Sequence, residues 1–437
     1  MTAKNPPQVE MGSFELKSMK TAFLIGAYYS GDDKKDCEDY LNELELLCQT
    51  FGLKVVGKES CPIKKLDAGT YLGKGKLEEL CLKVQELSAD VVIFDEEISP
   101  HQQRNLEKIF AHPVIDRTEL IIEVFAQRAQ TKEARLQIEL AKVKYQMPRL
   151  KRLWTHLSRQ TGTSGSGGAY LKGEGEKQIE IDRRILKRRI DSLKNELEDV
   201  AEQRDTQRTL RRRTGIPTFA IVGYTNAGKS TLLNTLTKAE VLVEDKLFAT
   251  LDTTTRKFTL PNKQDILLID TVGFIRKIPH TLVAAFKSTL EEAVHTDILL
   301  HLIDVSHPKA EEQAEEACKV LEELGAKDHP IITVLNKIDQ CKNPTMFYRF
   351  RVKYKKTVQI SALEGTGLSE LLEMMMKEVS LLRKVCKLRI PQSNYALVSE
   401  LMREGRVISC DYEENDIVIE VEIPSRLEHK VQPFLLR

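Results

Sequence analysis

A glycine-rich segment near the middle of the chain has the composition and spacing of a phosphate-binding loop (P-loop). It reads Gly223, Tyr224, Thr225, Asn226, Ala227, Gly228, Lys229 and Ser230. The apolar stretch 218–223 before it is typical of a strand, and a helical pattern follows. Glycines allow the backbone to curl so that its N–H groups face phosphate oxygens beside a helix N-terminus. We expect Lys229 to reach the β- and γ-phosphates of a nucleotide and Ser230 to ligate Mg²⁺.

A second motif ends the apolar stretch DILLID (265–270) and consists of Asp270, Thr271, Val272 and Gly273. A carboxylate at the end of a buried strand can hold Mg²⁺ through water, and the glycine lets a backbone N–H approach a γ-phosphate. Lys229, the Gly273 N–H and Mg²⁺ would then stabilise transition-state charge on the γ-phosphate. The two motifs together predict a nucleoside triphosphatase.

A third motif predicts which base is bound, and it consists of Asn336, Lys337, Ile338 and Asp339. The Asp339 carboxylate can accept hydrogen bonds from the N1–H and the 2-amino group of guanine. Adenine lacks this donor pair and would leave a buried carboxylate unpaired. The guanine O6 would accept from backbone N–H groups of a further stretch, Ser361, Ala362 and Leu363. The predicted ligands are therefore GTP and GDP.

A threonine-rich segment between the first two motifs is the expected first switch. The part assigned to GTP binding is Phe248, Ala249, Thr250, Leu251 and Asp252. Such a segment offers a hydroxyl to Mg²⁺ and a backbone N–H to the γ-phosphate. Hydrolysis removes the γ-phosphate and so releases the segment. Thr250 is the favoured metal ligand and catalytic threonine, and Thr254 is the alternative.

Phe274 occupies the position at which many GTPases carry a water-orienting glutamine. A phenyl ring cannot polarise water, so we expect slow turnover unless a partner or a monovalent cation completes the site. Asn226 is a candidate K⁺ ligand, because the P-loop is similar to that of the tRNA-modification GTPase TrmE, whose asparagine is thought to bind such a cation. A purely structural asparagine is the alternative.

Composition places these motifs in a multidomain globular protein. The chain has 437 residues, of which 41% are hydrophobic and 30% charged. No apolar run reaches the roughly 18 residues of a membrane span, and no signal peptide is recognisable. The eight scattered cysteines contain no CxxC pair, which favours reduced thiols over a zinc site. We expect a cytoplasmic monomer without a transmembrane segment, with peripheral membrane association left open.

Alternating strand and helix patterns predict an α/β protein. We expect an N-terminal α/β domain, a long helical hairpin with a glycine-rich loop, a P-loop GTPase domain with a parallel sheet and flanking helices, and a small C-terminal α+β domain. The predicted boundaries are a tail at 1–18, then 19–130, 131–215, 216–382 and 385–437. A second phosphate site at 69–76 is a weaker possibility, since that segment lacks the GKS ending.

The predicted hairpin is the basic part of the chain. Residues 131–215 contain 21 lysines and arginines against 12 acidic residues, whereas the whole chain has a net charge of +1. The candidate RNA-binding residues are Arg183, Arg184, Lys187, Arg188 and Arg189. Basic side chains flanked by Trp154 and Tyr170 suit structured RNA better than DNA. A salt-bridged hairpin packed on its own protein is the alternative.

The motifs and their neighbours resemble the HflX family of translation-associated GTPases over most of the chain. The resemblance includes 71–79, 94–100, 116–118, 122–129, 136–141, the P-loop, LFATLD and 270–292. It implies binding to the large ribosomal subunit and its RNA, with a role in ribosome splitting, rescue or biogenesis. The sequence departs from the family pattern at Thr253 and in the glycine-rich loop, where a Ser/Gly/Tyr segment over 162–172 replaces an Arg-Gly-Pro portion while the GEGE at 173–176 persists. The alternatives are a tRNA-modification-type GTPase and a non-catalytic, GTP-gated RNA-binding scaffold.

Overall fold

The computed structural model describes residues 16–31, 33–150, 171–237, 247–248, 254–277, 294–327, 329–341, 343–413, 415–424 and 427–436. These residues form two compact units. The first unit is drawn from 1–200, 244–252 and 277–288, and the second from 201–243, 253–276 and 289–437.

The first unit begins with strands that alternate with helices. Its elements are β1 (Thr21–Tyr28), α1 (Asp33–Phe51), β2 (Lys54–Pro62), α2 (Lys74–Glu86), β3 (Val91–Phe94), α3 (Pro100–Phe110) and β4 (Val114–Asp116). The four strands are parallel in the order β2-β1-β3-β4. All four residues of β3 are buried, which matches the continuous apolar run expected of a parallel strand. The strand β2 lies on one side of β1, and β3 and β4 lie on the other. The carboxyl ends of β1 and β3 therefore form a topological switch point.

Three further helices complete the described part of this unit: α4 (Arg117–Arg128), α5 (Lys132–Gln146) and α6 (Leu171–Thr214), which continues into the second unit. A new helix, α5, begins at the boundary that the sequence places between 130 and 131. The Thr131 hydroxyl accepts from the Ala134 N–H at 3.1 Å and so caps a new helix. Leu136 and Leu140 of α5 pack with Leu186 and Leu193 of α6.

The second unit contains a six-stranded sheet. Its elements are β5 (Thr218–Gly223), α7 (Lys229–Thr237), β6 (Thr254–Thr259), β7 (Asp265–Asp270), β8 (Ile298–Asp304), α8 (Ala310–Glu323), β9 (Ile331–Asn336), α9 (Thr345–Lys353), β10 (Thr357–Gln359) and α10 (Leu368–Leu381). The strand order is β10-β9-β8-β5-β7-β6, and β6 pairs antiparallel with β7 while the other pairs are parallel.

The C-terminal part of this unit is a three-stranded antiparallel sheet with two helices. The elements are β11 (Arg383–Pro391), α11 (Tyr395–Glu404), β12 (Arg406–Glu413), β13 (Asp416–Pro424) and α12 (Glu428–Val431). The predicted α/β class is confirmed, with a parallel-sheet P-loop domain and a small C-terminal domain. Among the residues with described structure, no helix is long and apolar enough to cross a membrane.

Candidate functional site

The P-loop connects the end of β5 to the start of α7. Its curl comes from three left-handed or nearly left-handed residues, with φ of 152° at Gly223, 60° at Asn226 and 91° at Gly228. The Lys229 ammonium donates to the carbonyls of Gly223 at 3.3 Å and Tyr224 at 2.8 Å. The lysine therefore lies folded along the loop, where phosphate oxygens are expected.

Lys229 is almost completely buried, with 7% of its surface exposed. Burial lowers the pKa of its ammonium to about 8, and the Asp270 carboxylate acts in the opposite direction. A bound phosphate would favour the charged form. The proton affinity of this lysine is thus coupled to the presence of an anion.

Ser230 and Asp270 provide the oxygen atoms for a metal ion. The Ser230 hydroxyl donates to Asp270 Oδ2 at 2.7 Å, and Asp270 is fully buried at the end of β7. The parallel pairing of β5 with β7 sets Ile221 beside Asp270, which brings the two motifs together. A hydroxyl and a carboxylate are hard oxygen ligands, so these residues fit Mg²⁺, which would neutralise phosphate charge when bound.

The residues that follow the second motif run alongside the P-loop. The Phe274 N–H donates to the Gly223 carbonyl at 3.0 Å, and the Thr225 N–H donates to the Phe274 carbonyl at 2.7 Å. The Arg276 N–H donates to the Tyr224 hydroxyl at 2.8 Å. The Phe274 ring is only 3% exposed. In this arrangement the ring lies in the protein interior.

The first residue of the third motif joins two loops of the site. The Asn336 side chain donates to the Ala227 carbonyl at 2.8 Å and accepts from the Ala362 N–H at 2.9 Å. The Thr235 hydroxyl also donates to the Ala362 carbonyl at 2.8 Å. The P-loop is therefore braced directly against the loop 361–363 that is expected to bind guanine O6.

The remaining predicted base-binding residues follow β9 and β10. Lys337 has a left-handed backbone with φ of 62°, and its ammonium pairs with Asp304 at 2.8 Å. Asp339 is exposed within a short 3₁₀ turn, Ile338–Gln340. Ser361 is buried and its hydroxyl accepts from the Glu364 N–H at 3.2 Å, whereas Leu363 is exposed. The carboxyl ends of four parallel strands thus bring the P-loop, 270–273, 336–339 and 361–363 to one edge of the sheet.

The predicted first switch is described only in part. Ala249, Thr250, Leu251 and Asp252 lie outside the described residues, so their roles remain predictions. Phe248 belongs to the first unit, where its ring lies 4.4 Å from that of Phe125. Thr254 begins β6 and is paired with Asp270 across the ladder. The choice between Thr250 and Thr254 as the switch threonine stays a prediction.

The five candidate RNA-binding residues do not share one environment on α6. Arg189 makes two hydrogen bonds to Glu139 of α5, at 2.7 and 2.9 Å, and lies 3.6 Å from Glu196. The Glu139 bonds raise the pKa of the Arg189 guanidinium. The others are exposed on a different arc of the helix, and Arg184 pairs with Glu180 at 3.1 Å. Arg189 therefore links α6 to α5.

The segment 69–76, considered above as a second phosphate site, uses its amides internally. Asp67 Oδ1 accepts from the N–H groups of Gly69 and Thr70, both at 2.8 Å. Lys76 pairs with Glu59 and Glu79. The N–H groups of Gly69 and Thr70 are thus already bonded to a carboxylate of the protein, and we assign no nucleotide to this loop.

Known proteins similar to this chain carry the same combination of regions. "GTPase HflX" of Chlamydia pneumoniae is 48% identical over 415 residues, which is 95% of this chain and 88% of that protein. "GTPase HflX" of Lacrimispora saccharolytica is 44% identical over 94% of this chain and 96% of that protein. The chain belongs to the HflX family of GTPases. The family suggested by the sequence is therefore confirmed.

Family models and a solved structure also match GTP-binding proteins over most of the chain. Residues 38–126 match "GTP-binding GTPase N-terminal", 128–211 match "GTP-binding GTPase Middle Region", and 218–337 match "50S ribosome-binding GTPase". A crystal structure titled as the complex of SsGBP with GDP covers 83% of this chain and 99% of its own, with 28% identity and a TM-score of 0.50. As an HflX-family member the chain is a GTPase with a ribosome-binding type of G domain, a class that generally uses Mg²⁺ with its nucleotide.

Sequence reasoning missed several residues that shape this HflX site. The sequence predicts Tyr224 only as a loop residue, yet its hydroxyl accepts from the Arg276 N–H, and the Arg276 guanidinium pairs with Glu312 at 2.6 Å. These pairs join residues that are far apart in sequence, so no local sequence pattern indicates them.

Proposed function

We propose that this HflX-family GTPase binds the large ribosomal subunit and couples GTP binding and hydrolysis to ribosome splitting, rescue or biogenesis. The convergence of four nucleotide-contacting loops at one sheet edge, braced by Asn336, supports the catalytic half of the proposal. Lys229, the Gly273 N–H and Thr250 would act on the γ-phosphate, and Ser230 and Thr250 would hold Mg²⁺.

Two measurements test the ribosomal half. Co-sedimentation with isolated large and small subunits should show retention on large subunits with a non-hydrolysable GTP analogue and weaker retention with GDP. Single-turnover GTP hydrolysis should be faster with large subunits than without them. Equal hydrolysis in both conditions, together with GTP-dependent binding, would instead support a GTP-gated scaffold.

We also propose that K⁺ assists hydrolysis through Asn226. Asn226 is exposed on the P-loop with φ of 60°, a conformation that asparagine tolerates better than most residues. The buried Phe274 offers no polar group to the reaction, so a cation beside the phosphates would supply missing positive charge. Turnover should be higher in K⁺ than in Na⁺, and Asn226→Ser should abolish that difference. Equal wild-type rates in the two salts would refute this role.

The exposed basic arc of α6 is the proposed contact with ribosomal RNA, and DNA is not an expected partner. Removing Arg183 or Arg188 should weaken large-subunit binding and lower the slope of log affinity against log salt by about 1 for each lost phosphate contact. Arg189→Ala is the matched control. It should destabilise the hairpin while leaving the salt slope unchanged, because its guanidinium is engaged by Glu139. A salt-independent wild-type affinity would contradict the proposal.

The remaining assignments complete the proposal. We propose that the protein acts as a cytoplasmic monomer, since ribosomes are its expected partner, and that 216–382 is the nucleotide-responsive domain. The segments 19–130 and 131–215 would then engage RNA. The role of 385–437 is not assigned.

A further inference from the structure

The helix α9 presents large apolar side chains to solvent. Its inner face belongs to the core of the second unit, where Met346 and Phe350 are buried. On its outer face Tyr348 is 72% exposed and Val352 is 89% exposed, and among the described residues no other large apolar side chain is as exposed as Val352. Residues four apart are neighbours on the surface of a helix. Tyr348 and Val352 therefore form one apolar strip, the α9 ridge.

Cations on one side of the α9 ridge are already paired. Arg349 and Lys353 are also four residues apart, and they pair with two glutamates of α8, Glu311 at 3.4 Å and Glu315 at 2.5 Å. The helix α8 contains six glutamates and one lysine, so it stays acidic beside these two cations. A groove of about 500 Å³ is lined by residues of both helices: Glu311, Tyr348, Arg349, Phe350, Val352 and Lys353. The ridge thus has an acidic helix along one side.

The other side of the α9 ridge is basic. Arg351 lies about 200° around the helix from Arg349, at about 100° per residue, and Lys355 follows the end of α9. Both side chains are exposed, and within the described part of the chain neither makes an ion pair. A positive charge near a helix C-terminus is favourable by itself, which accounts for the charge of Arg351. It does not account for two large apolar side chains left in water.

The charges beside the α9 ridge favour one kind of partner. A nucleic acid carries negative charge along its whole backbone, so the glutamates of α8 would repel it from one side of the ridge. A protein helix can instead present an apolar seam to the ridge and place carboxylates only on the side of Arg351. Helices dock in this way through apolar residues at helical spacing, and tyrosine and arginine are enriched in protein interfaces. The ridge therefore fits a protein better than an RNA.

We propose that the α9 ridge docks an amphipathic helix of a protein partner, whose apolar seam covers Tyr348 and Val352 and whose carboxylates face Arg351. The inference rests on the proposed function, because the partner is then a protein of the large ribosomal subunit. It adds a contact that the G domain makes with protein, separate from the RNA contact proposed for α6. None of the predicted nucleotide-binding residues lies in α9, so the ridge can be altered without changing the nucleotide site.

The affinity of the full chain for isolated large subunits tests the ridge. Val352→Ser removes the apolar side chain, and Arg351→Glu reverses the charge beside it. The matched controls are Leu381→Ser and Lys377→Glu, because Leu381 is 67% exposed and Lys377 is also exposed, both on α10 of the same unit. Co-sedimentation with a non-hydrolysable GTP analogue measures binding. Circular dichroism melting and GDP affinity verify that each variant is folded and keeps its nucleotide site.

Val352→Ser and Arg351→Glu should each weaken binding to large subunits by about fivefold to thirtyfold, as expected for side chains at the centre of an interface. The two control variants should bind within about twofold of wild type. If wild type binds large subunits and both ridge variants bind equally well, the inference is overturned and the proposed function stands. If wild type does not bind large subunits, the proposed function falls, and the partner named here falls with it.

A photo-cross-linking residue, p-benzoylphenylalanine, in place of Val352 identifies what the ridge contacts. With large subunits we expect a cross-link to a protein, mapped by mass spectrometry to a helix with carboxylates beside an apolar seam, and Arg351→Glu should lower its yield. A cross-link only to ribosomal RNA would overturn the inference in favour of an RNA contact. A cross-link only to a second copy of the chain would overturn it in favour of self-association, and so would the absence of any cross-link in chains that pellet with subunits.

Discussion

Asn336→Ala is the substitution whose effect on the nucleotide site can be worked out most fully from the structure. The Asn336 side chain is 2% exposed and makes two hydrogen bonds, one to the Ala227 carbonyl and one from the Ala362 N–H. Alanine removes both and fills none of the space. A buried polar group left without its partner costs about 1–3 kcal/mol. Two such groups place the total loss at about 2–6 kcal/mol if no water enters.

Part of this loss should appear as nucleotide affinity, because the substitution uncouples the P-loop from the loop that is expected to bind the guanine O6. If half of the total is lost on binding, GDP affinity should fall by about fivefold to 140-fold, at about 1.4 kcal/mol for each factor of ten. The rest should lower the free energy of unfolding.

Equilibrium binding of fluorescent GDP and urea unfolding without nucleotide measure the two parts separately. Asn343→Ala is the control, because Asn343 is exposed and makes a local turn with Thr345 at 2.6 Å. It should cost about 1 kcal/mol of stability at most and leave GDP affinity unchanged. A folded Asn336→Ala variant that binds GDP within about twofold of wild type would show that the brace does not position the site.

Three further predictions concern single groups of the site. Asp339→Asn should weaken GDP binding and improve binding of the xanthine nucleotide, because the 2-oxo group of xanthine accepts a hydrogen bond where guanine donates one. If a competition assay shows an unchanged preference for guanine, Asp339 does not recognise the base. GDP affinity should be constant below pH 8 and fall by up to about tenfold per pH unit above it, because the free Lys229 has a pKa lowered to about 8 and phosphate binds its protonated form; a flat titration of Kd up to pH 10 would contradict this. Ser230→Ala should make nucleotide affinity insensitive to Mg²⁺, which EDTA titration would reveal.

The sequence predicts most strands of both parallel sheets, because these are buried apolar runs with clear ends. It does not reveal β6, whose residues TTRKFT are mostly polar and half-exposed at a sheet edge. Such a strand has no apolar alternation from which to be recognised. For β11 the signal is present, since the buried Cys386, Leu388 and Ile390 alternate with charged residues. The long helical pattern that ends just before β11 obscures it.

The same distinction separates the parts of the site that sequence predicts from those it does not. The P-loop and its partner motifs are short segments whose chemistry is contained in a few neighbouring residues. The bond between Asn336 and Ala362, and that between Lys277 and Asp95, depend on how distant segments pack. On α6, the sequence predicts the same RNA-binding role for Arg189 and Arg183 because both are basic. Only the hydrogen bond from Arg189 to Glu139 in the structure distinguishes the two.

The affinity of this site for a nucleotide is a difference between two sets of partners. A phosphate must replace the carbonyls that Lys229 contacts, and Mg²⁺ must replace the bond between Ser230 and Asp270. GDP and GTP share these two exchanges. GTP carries a third phosphate, which the Gly273 N–H is expected to bind, so discrimination between the nucleotides should depend on the backbone bonds that Phe274 makes with the P-loop.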